Sequence, residues 1–422
     1  MLQYAARHMR SMAMGLQRQA VALSAACVLL FAGLAPAAVH PYEAREGGVR
    51  TGHSEIDRLV LARLERERID PAPPCSDAVF VRRVYLDLIG TLPSAREVRD
   101  FLDDPSPGKR GRLIESLFER PEYADYWSMK WCDILRVKAE YPVKLWPNAV
   151  QAYHRWIREA VRTNMPYDAF ARALLTSSGS NFRVPPVNFY RAMQDHDPET
   201  IAAAAALTFM GVRLDRWPVA KREELAGCFS RVSFKGTAEW KEEIVFLDPS
   251  AMTPLKLFFP DGKTVTVPPG RDPRAAFADW LLAPENAWFA RNAVNRVWAW
   301  LFGRGIVHEP DDMRPDNPPV HPDLLDFLAS ELVNAEYDLR YIYRLILNSE
   351  TYQRSSIPDS PDPRAEALFA HYMTRQLDAE VIVDALCDLS GTHEQYSSPI
   401  PEPFTFIPPE HRTIALADGS IT

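Results

Sequence analysis

Ser76-Asp77-Ala78-Val79-Phe80-Val81-Arg82-Arg83-Val84-Tyr85-Leu86-Asp87-Leu88-Ile89-Gly90 decides the fold class of this 422-residue chain. Ser76 can cap a helix, because its hydroxyl accepts from a backbone N–H that the first turn leaves free. Phe80, Val84, Tyr85 and Leu88 follow at helical spacing, and Gly90 is a suitable stop. The same pattern repeats on both sides. Ser54 precedes Ile56, Leu59, Val60 and Leu64, while Ser94 and Glu97 match a capping box. Further helices are predicted over 109–119, 122–137, 148–163, 167–176, 198–211 and 219–231. Pro142, Pro147, Pro166, Pro185, Pro186, Pro198 and Pro218 fall between these segments, where a missing backbone N–H does no harm. The whole chain has 36 prolines and 18 glycines, which suits helices punctuated by proline rather than a glycine-rich phosphate-binding fold.

Between Ser233 and Gly270 the texture changes to short strand-like runs, over 244–247, 255–259 and 264–267. Asp261-Gly262 between the last two is a hairpin turn signal. Helices resume over 273–283, 286–302, 321–335, 338–348, 364–374 and 378–389. The expected architecture is therefore mainly α, with two helical domains at 54–232 and 271–395. A small β-hairpin insert at 233–270 separates them, and an irregular tail covers 396–422.

The N-terminus has the pattern of a secretory signal. Arg7, Arg10 and Arg18 precede any acid, Val21 to Leu34 is apolar, and Ala35-Pro36-Ala37-Ala38 supplies small residues. A signal peptide over 1–38 implies a secreted or periplasmic protein with no stable membrane span after cleavage; an uncleaved signal anchor is the alternative. Its removal leaves 45 basic against 56 acidic residues, a net charge of −11. Nucleic acid is excluded as a partner, since that affinity comes mainly from Lys and Arg on phosphates.

Cys75, Cys132, Cys228 and Cys387 lie too far apart for a zinc site or covalent haem attachment. Two disulfides are conceivable in an oxidising compartment. The helical apolar surroundings of Cys132, Cys228 and Cys387 favour packing instead. The tryptophans at 127, 131, 156, 280, 298 and 300 likewise fall at helix-core positions.

Chemistry-bearing residues gather between Asn286 and Asp323. Asn292, Asn295 and Arg296 share one helical face, and His308-Glu309-Pro310-Asp311-Asp312, Asp316-Asn317 and His321-Pro322-Asp323 follow. Asp311, Asp312 and His321 are candidate catalytic residues, as an acid/base set or as ligands for a hard cation. Arg296, Asn295 and Asn317 are candidate binding residues. The competing assignment pairs Asp311 or Asp312 with Arg296 and has Asp316 or Asn317 cap a turn. No spacing here is diagnostic of a metal, and no metal or cofactor is expected. In Asp195-His196-Asp197, Asp197 reads as a helix cap, and Arg82-Arg83 with Asp87 reads as an intrahelical or interhelical salt bridge.

Two long stretches carry a family resemblance. Ile56 to Leu59, Arg82 to Pro93 and Tyr126 to Asp133 resemble the first of two paired domains of unknown function from planctomycete-type bacteria. Phe289 to Trp298, Phe302 to Val307, Asp311-Asp312, Asn317 to Pro322 and Asn348 to Ser356 resemble the second. The family is often associated with cytochrome c modules, which implies an extracytoplasmic, largely helical protein. Many relatives carry C-x-x-C-H and then H-P-F before an aspartate-arginine-tryptophan triplet. Here Gly211-Val212-Arg213-Leu214 runs directly into Asp215-Arg216-Trp217, which argues against haem binding. Relatives also continue beyond the point matching Leu416 to Thr422, so a truncated form is expected. The expected function is a non-enzymatic accessory or binding component of a cytochrome-c-associated system, with a c-type cytochrome or a cell-surface polymer as partner. The alternative is an extracytoplasmic hydrolase acting on a glycan through its carboxylates.

Overall fold

The helices begin where the capping residues put them. In the computed structural model, which describes residues 54–139, 143, 145–398, 400, 405, 407 and 411–418, α1 (Glu55–Glu67) starts after Ser54 and α2 (Asp77–Ile89) after Ser76. Ser94 and Glu97 close a reciprocal capping box at α3 (Ala95–Asp103), and Ser54 with Asp57 closes another at α1. The expected signal peptide lies outside the described residues.

The chain continues through α4 (Lys109–Phe118), α5 (Pro121–Ile134), α6 (Pro147–Arg162), α7 (Tyr167–Thr176), the short α8 (Asn188–Arg191), α9 (Pro198–Met210) and α10 (Val219–Ala226). After the strands come α11 (Pro273–Leu281), α12 (Phe289–Phe302), α13 (Pro322–Asn334), α14 (Leu339–Leu347) and α15 (Ala379–Ser390). The fold is mainly α, as expected. Proline occupies the first turn of α5, α6, α9, α11 and α13, where its lost N–H is one the helix would leave free anyway.

The β region is larger than one hairpin. β4 (Leu255–Phe258) and β5 (Thr264–Val267) form the expected antiparallel pair around Asp261-Gly262, with Gly262 at φ +86°. β2 (Val232–Gly236) and β3 (Glu243–Leu247) form a second hairpin, and the two-residue β1 (Gly179–Ser180) adds to the free edge of β3. The sequence reading missed β1, which is only two residues long, and β2, whose alternating Val232-Ser233-Phe234-Lys235 is a very short pattern. Asn181 extends the β1 pairing, as its backbone N–H donates to the Glu243 carbonyl and its Oδ1 accepts from the Glu243 N–H.

The predicted helix over 364–374 does not form. One helical turn closes from Arg364 to Leu368, and then Phe369 adopts φ +58°, which ends any helix. The backbone is drawn away instead by pairing of Ala370 with Ala72 and of Tyr372 with Ser355.

The described residues belong to one compact unit, and the segments expected as separate domains share a single hydrophobic core. Trp127 of α5 packs on Trp300 of α12 at 5.4 Å and on Tyr343 of α14 at 4.4 Å. Trp131 meets Trp300 edge-on at 5.5 Å. All six helix tryptophans are buried in this core or packed against it. The four described cysteines are free thiols; Cys75, Cys132 and Cys228 are buried, while Cys387 is only half-buried, so the packing role expected for it is partial.

Buried carboxylates join the two segments. Asp87 accepts hydrogen bonds from the Tyr352 and Tyr372 hydroxyls, both at 2.8 Å, and pairs with Arg375 at 2.5 Å. Of the two expected arrangements, Asp87 does not take the one within its own helix: its arginine partner, Arg375, comes from a segment 288 residues away. Asp57 accepts from the Thr351 N–H and hydroxyl at 2.8 Å and from the Glu350 N–H at 3.0 Å. Removing one partner of a buried pair strands the other charge, at a cost of about 3–5 kcal/mol. Asp87→Ala should therefore lower unfolding free energy by about 3 kcal/mol in urea titrations, whereas an equivalent change at the exposed Asp279 should cost less than about 1 kcal/mol.

Candidate functional site

The face of α12 predicted from spacing exists, and it points inward. Asn292, Asn295 and Arg296 are all buried. Asn295 donates to the Val307 and Pro310 carbonyls and accepts from the Val307 N–H at 2.8 Å, which folds the loop after α12 back onto its own helix. Asn292 donates to the Thr208 carbonyl at 3.1 Å, and Arg296 donates to Thr208 at 2.9 Å and Leu207 at 3.4 Å. These carbonyls belong to the last turn of α9, the negative end of that helix, where a guanidinium is favoured. Gly211 ends α9 at φ +65°, and a Cβ there would come within 2.6 Å of the Asn292 side chain.

The loop carboxylates are each taken by arginine. Asp311 pairs with Arg296 at 2.5 Å; the guanidinium side chain is 4% exposed and the carboxylate 39%. Asp312 is buried and accepts from Arg216 at 3.1 Å and from Arg314 at 2.9 Å. Arg314 also bonds Asp316 at 2.8 Å, and the Asn317 amide donates to the Asp312 carbonyl at 2.9 Å. Asp311, Asp312, Arg296, Asn295 and Asn317 therefore come together as one polar cluster.

His321 lies apart from that cluster. Its ring stacks on Phe369 at 5.9 Å, and the charges that bear on it are those of Arg63, Arg66 and Asp323. Burial, the largest influence, pushes its titration down from 6.5 to about 4, and the Arg63 and Arg66 charges push the same way. Its Nε2 has no hydrogen-bond partner. In the Asp195-His196-Asp197 run, Asp197 caps α9 by accepting from Glu199 and Thr200, and His196 stacks on Phe234 at 4.1 Å. Among the described residues, no three His, Cys, Asp or Glu side chains converge as a metal site would require.

A different part of the surface brings several acids together. A cavity of about 320 Å³ is lined by Cys132, Asp133, Lys138, Glu380, Tyr396, Thr413 and Asp418, among others. Partial burial, and then the nearby Glu380, raise the Asp133 carboxyl above the usual carboxylate value. Asp133 and Glu380 are 247 positions apart in the chain, so no spacing rule could have paired them. Nearby Asp418 accepts the Ala139 N–H at 2.5 Å, and Asp384 accepts from the Thr413 and Ile414 N–H groups, which fastens the tail to α15.

Two family models cover most of the folded chain. Residues 55–214 match PSCyt2, a protein of unknown function (DUF1549), and residues 273–413 match PSD1, a protein of unknown function (DUF1553). The chain belongs to the planctomycete cytochrome-c-associated paired-domain family. No curated protein and no solved structure matches it. The first match of this paired-domain protein ends at Leu214, directly before the Asp215-Arg216-Trp217 triplet, and Arg216 of that triplet is the residue bound to Asp312.

Two consequences can be measured. His154, like His321, is pushed down to about 4, first by burial and then by Arg158. Both histidines titrate near 6.5 once unfolded, so only the unfolded state takes up their protons as pH falls below that value. Thermal stability should be flat above about pH 7 and decline between about pH 6.5 and 4, and His321→Phe should remove part of that decline. For the cavity, Glu380→Gln should lower the Asp133 titration midpoint in an NMR carboxyl titration, because it removes the second-largest cause of the rise.

Proposed function

We propose that the protein is an extracytoplasmic accessory component that works by binding, with a c-type cytochrome as its partner. One observation carries this reading most. The polar cluster that looked most like a reaction centre has its carboxylates neutralised by Arg296, Arg216 and Arg314. The surplus of 11 negative charges after residue 38 suits a partner with a basic face, since complementary charge speeds and orients encounter. Direct passage from Gly211-Val212-Arg213-Leu214 to Asp215, without a C-x-x-C-H segment, supports a component that meets haem on another protein rather than carrying it.

The purified protein should show no Soret band, and should bind a c-type cytochrome in a titration whose affinity falls as salt is raised. A Soret band that survives denaturation, or absence of binding at low salt, would overturn the reading. The rival reading, a glycan hydrolase using Asp311, Asp312 and His321, is separated by a single variant. Asp312→Asn should lower the melting temperature by about 2 °C or more, given about 1 kcal/mol lost from two arginine contacts. Lost glycan hydrolysis at an unchanged melting temperature would favour the hydrolase instead.

A further inference from the structure

The cavity between α5, the start of α15 and the tail has room for an organic molecule. Its volume of about 320 Å³ falls among small-molecule sites, which span about 300–1,000 Å³. Part of the wall is apolar, with Met129 and Val137 from α5 and the turn after it and Leu416 from the tail, all three buried. Cys132 adds a free thiol, 6% exposed and without a hydrogen-bond partner among the described residues. The charges that bear on this thiol are those of Asp133 and Asp418, so it stands beside the acids of the same cavity. Asp133 and Lys138 are exposed, which leaves the cavity open to solvent.

The rest of the wall is acidic and lacks a counter-charge. Asp133 and Glu380 both line the space, and among the described residues neither makes an ion pair or a side-chain hydrogen bond. Partial burial, and then Glu380, raise the Asp133 carboxyl, the response of an acid placed near a like charge. The chain's own ammonium groups leave that position open. Lys130 is committed to Asp378 at 2.6 Å, and Lys138 forms no ion pair among the described residues. The walls are also fixed in advance. The Ala139 N–H donates to Asp418 at 2.5 Å, the Thr413 N–H donates to Asp384 at 2.7 Å, and the Tyr396 and Thr413 hydroxyls are bonded to each other. A site ordered before its ligand arrives saves the ordering cost of binding.

We propose that this cavity binds a small aliphatic amine, its ammonium between Asp133 and Glu380 and its carbon chain against Met129, Val137 and Leu416. An anion would meet two carboxylates there, and a neutral hydrocarbon would leave both without a partner. A metal ion would need three converging ligands, which are absent among the described residues. An aromatic cation is less well matched than an aliphatic one, since Tyr396 is the one aromatic side chain of this lining. The inference goes beyond cytochrome binding and does not rest on it.

The full chain is titrated at low salt with n-pentylamine, n-pentanol or valerate, and the Asp133 carboxyl is followed by NMR. Pentylamine should move that resonance saturably and lower the Asp133 titration midpoint, because a bound cation favours the ionised carboxyl. Pentanol and valerate should leave it unmoved. Glu380→Gln should weaken amine binding about tenfold, the scale of one charge-assisted hydrogen bond, without lowering the melting temperature, since Glu380 holds nothing else in place. Asp133→Asn, followed by calorimetry, should do the same. Lys138→Gln should tighten binding by removing a competing cation. No saturable shift up to about 10 mM amine would overturn the proposal. So would affinity undiminished in both acid variants, which would put the amine elsewhere, or equal binding of pentanol, which would make the site purely apolar. Binding seen only in Lys138→Gln would show that the chain's own ammonium fills the cavity, and would overturn it as well.

Discussion

The buried Asp87 carboxylate is the constraint around which the two halves of the chain are arranged. It sits on α2, and among the described residues its side-chain partners are Tyr352, Tyr372 and Arg375. Arg83, one turn earlier on the same helix, donates to the Tyr352 and Arg354 carbonyls and lies 3.7 Å from the Tyr372 ring centroid. Asp57 on α1 binds Glu350 and Thr351 in the same way. A buried charge is tolerable when hydrogen bonds satisfy it on all sides, and costly otherwise. Neither half can supply that satisfaction by itself. The helices of the first half carry the charges, and the irregular segment of the second half carries the hydroxyls, amides and guanidinium. The physical unit is therefore the pair of family domains, which also share the Trp127–Trp300 and Trp131–Trp300 contacts.

This division explains what the sequence revealed. Signals that act within four residues were legible: the caps Ser54, Ser76, Ser94 and Asp197, the prolines of first turns, and Asp261-Gly262 at its turn. The segment 364–374 looked helical because its apolar residues recur at the right spacing. Its backbone follows the long-range pairing at Ala72 and Ser355, and the left-handed Phe369, which no local pattern encodes. β1 was invisible for the same reason, since two residues have no period.

The site was legible in composition more than in role. Spacing on α12 correctly brought Asn292, Asn295 and Arg296 to one face, but spacing does not say whether a face meets solvent, a ligand or another helix. The end of α9 turned out to be its partner. His321 followed Asp311 and Asp312 in the chain closely enough to be grouped with them, yet it starts α13 and turns to Phe369. The cavity acids Asp133 and Glu380 join residues 247 positions apart. Such pairs are set by topology and cannot be read from one sequence.

The seam between α9 and the loop after α12 gives those residues a further meaning. The Met313 N–H donates to the Gly211 carbonyl, Asn292 packs against Gly211, and Arg216 reaches Asp312. In this chain the short connection lets Arg216 close directly onto Asp312, while Arg296 holds Asp311. Pairing of Asp311 with Arg296 and of Asp312 with Arg216 makes this conspicuous polar motif part of the architecture that joins α9 to the loop after α12.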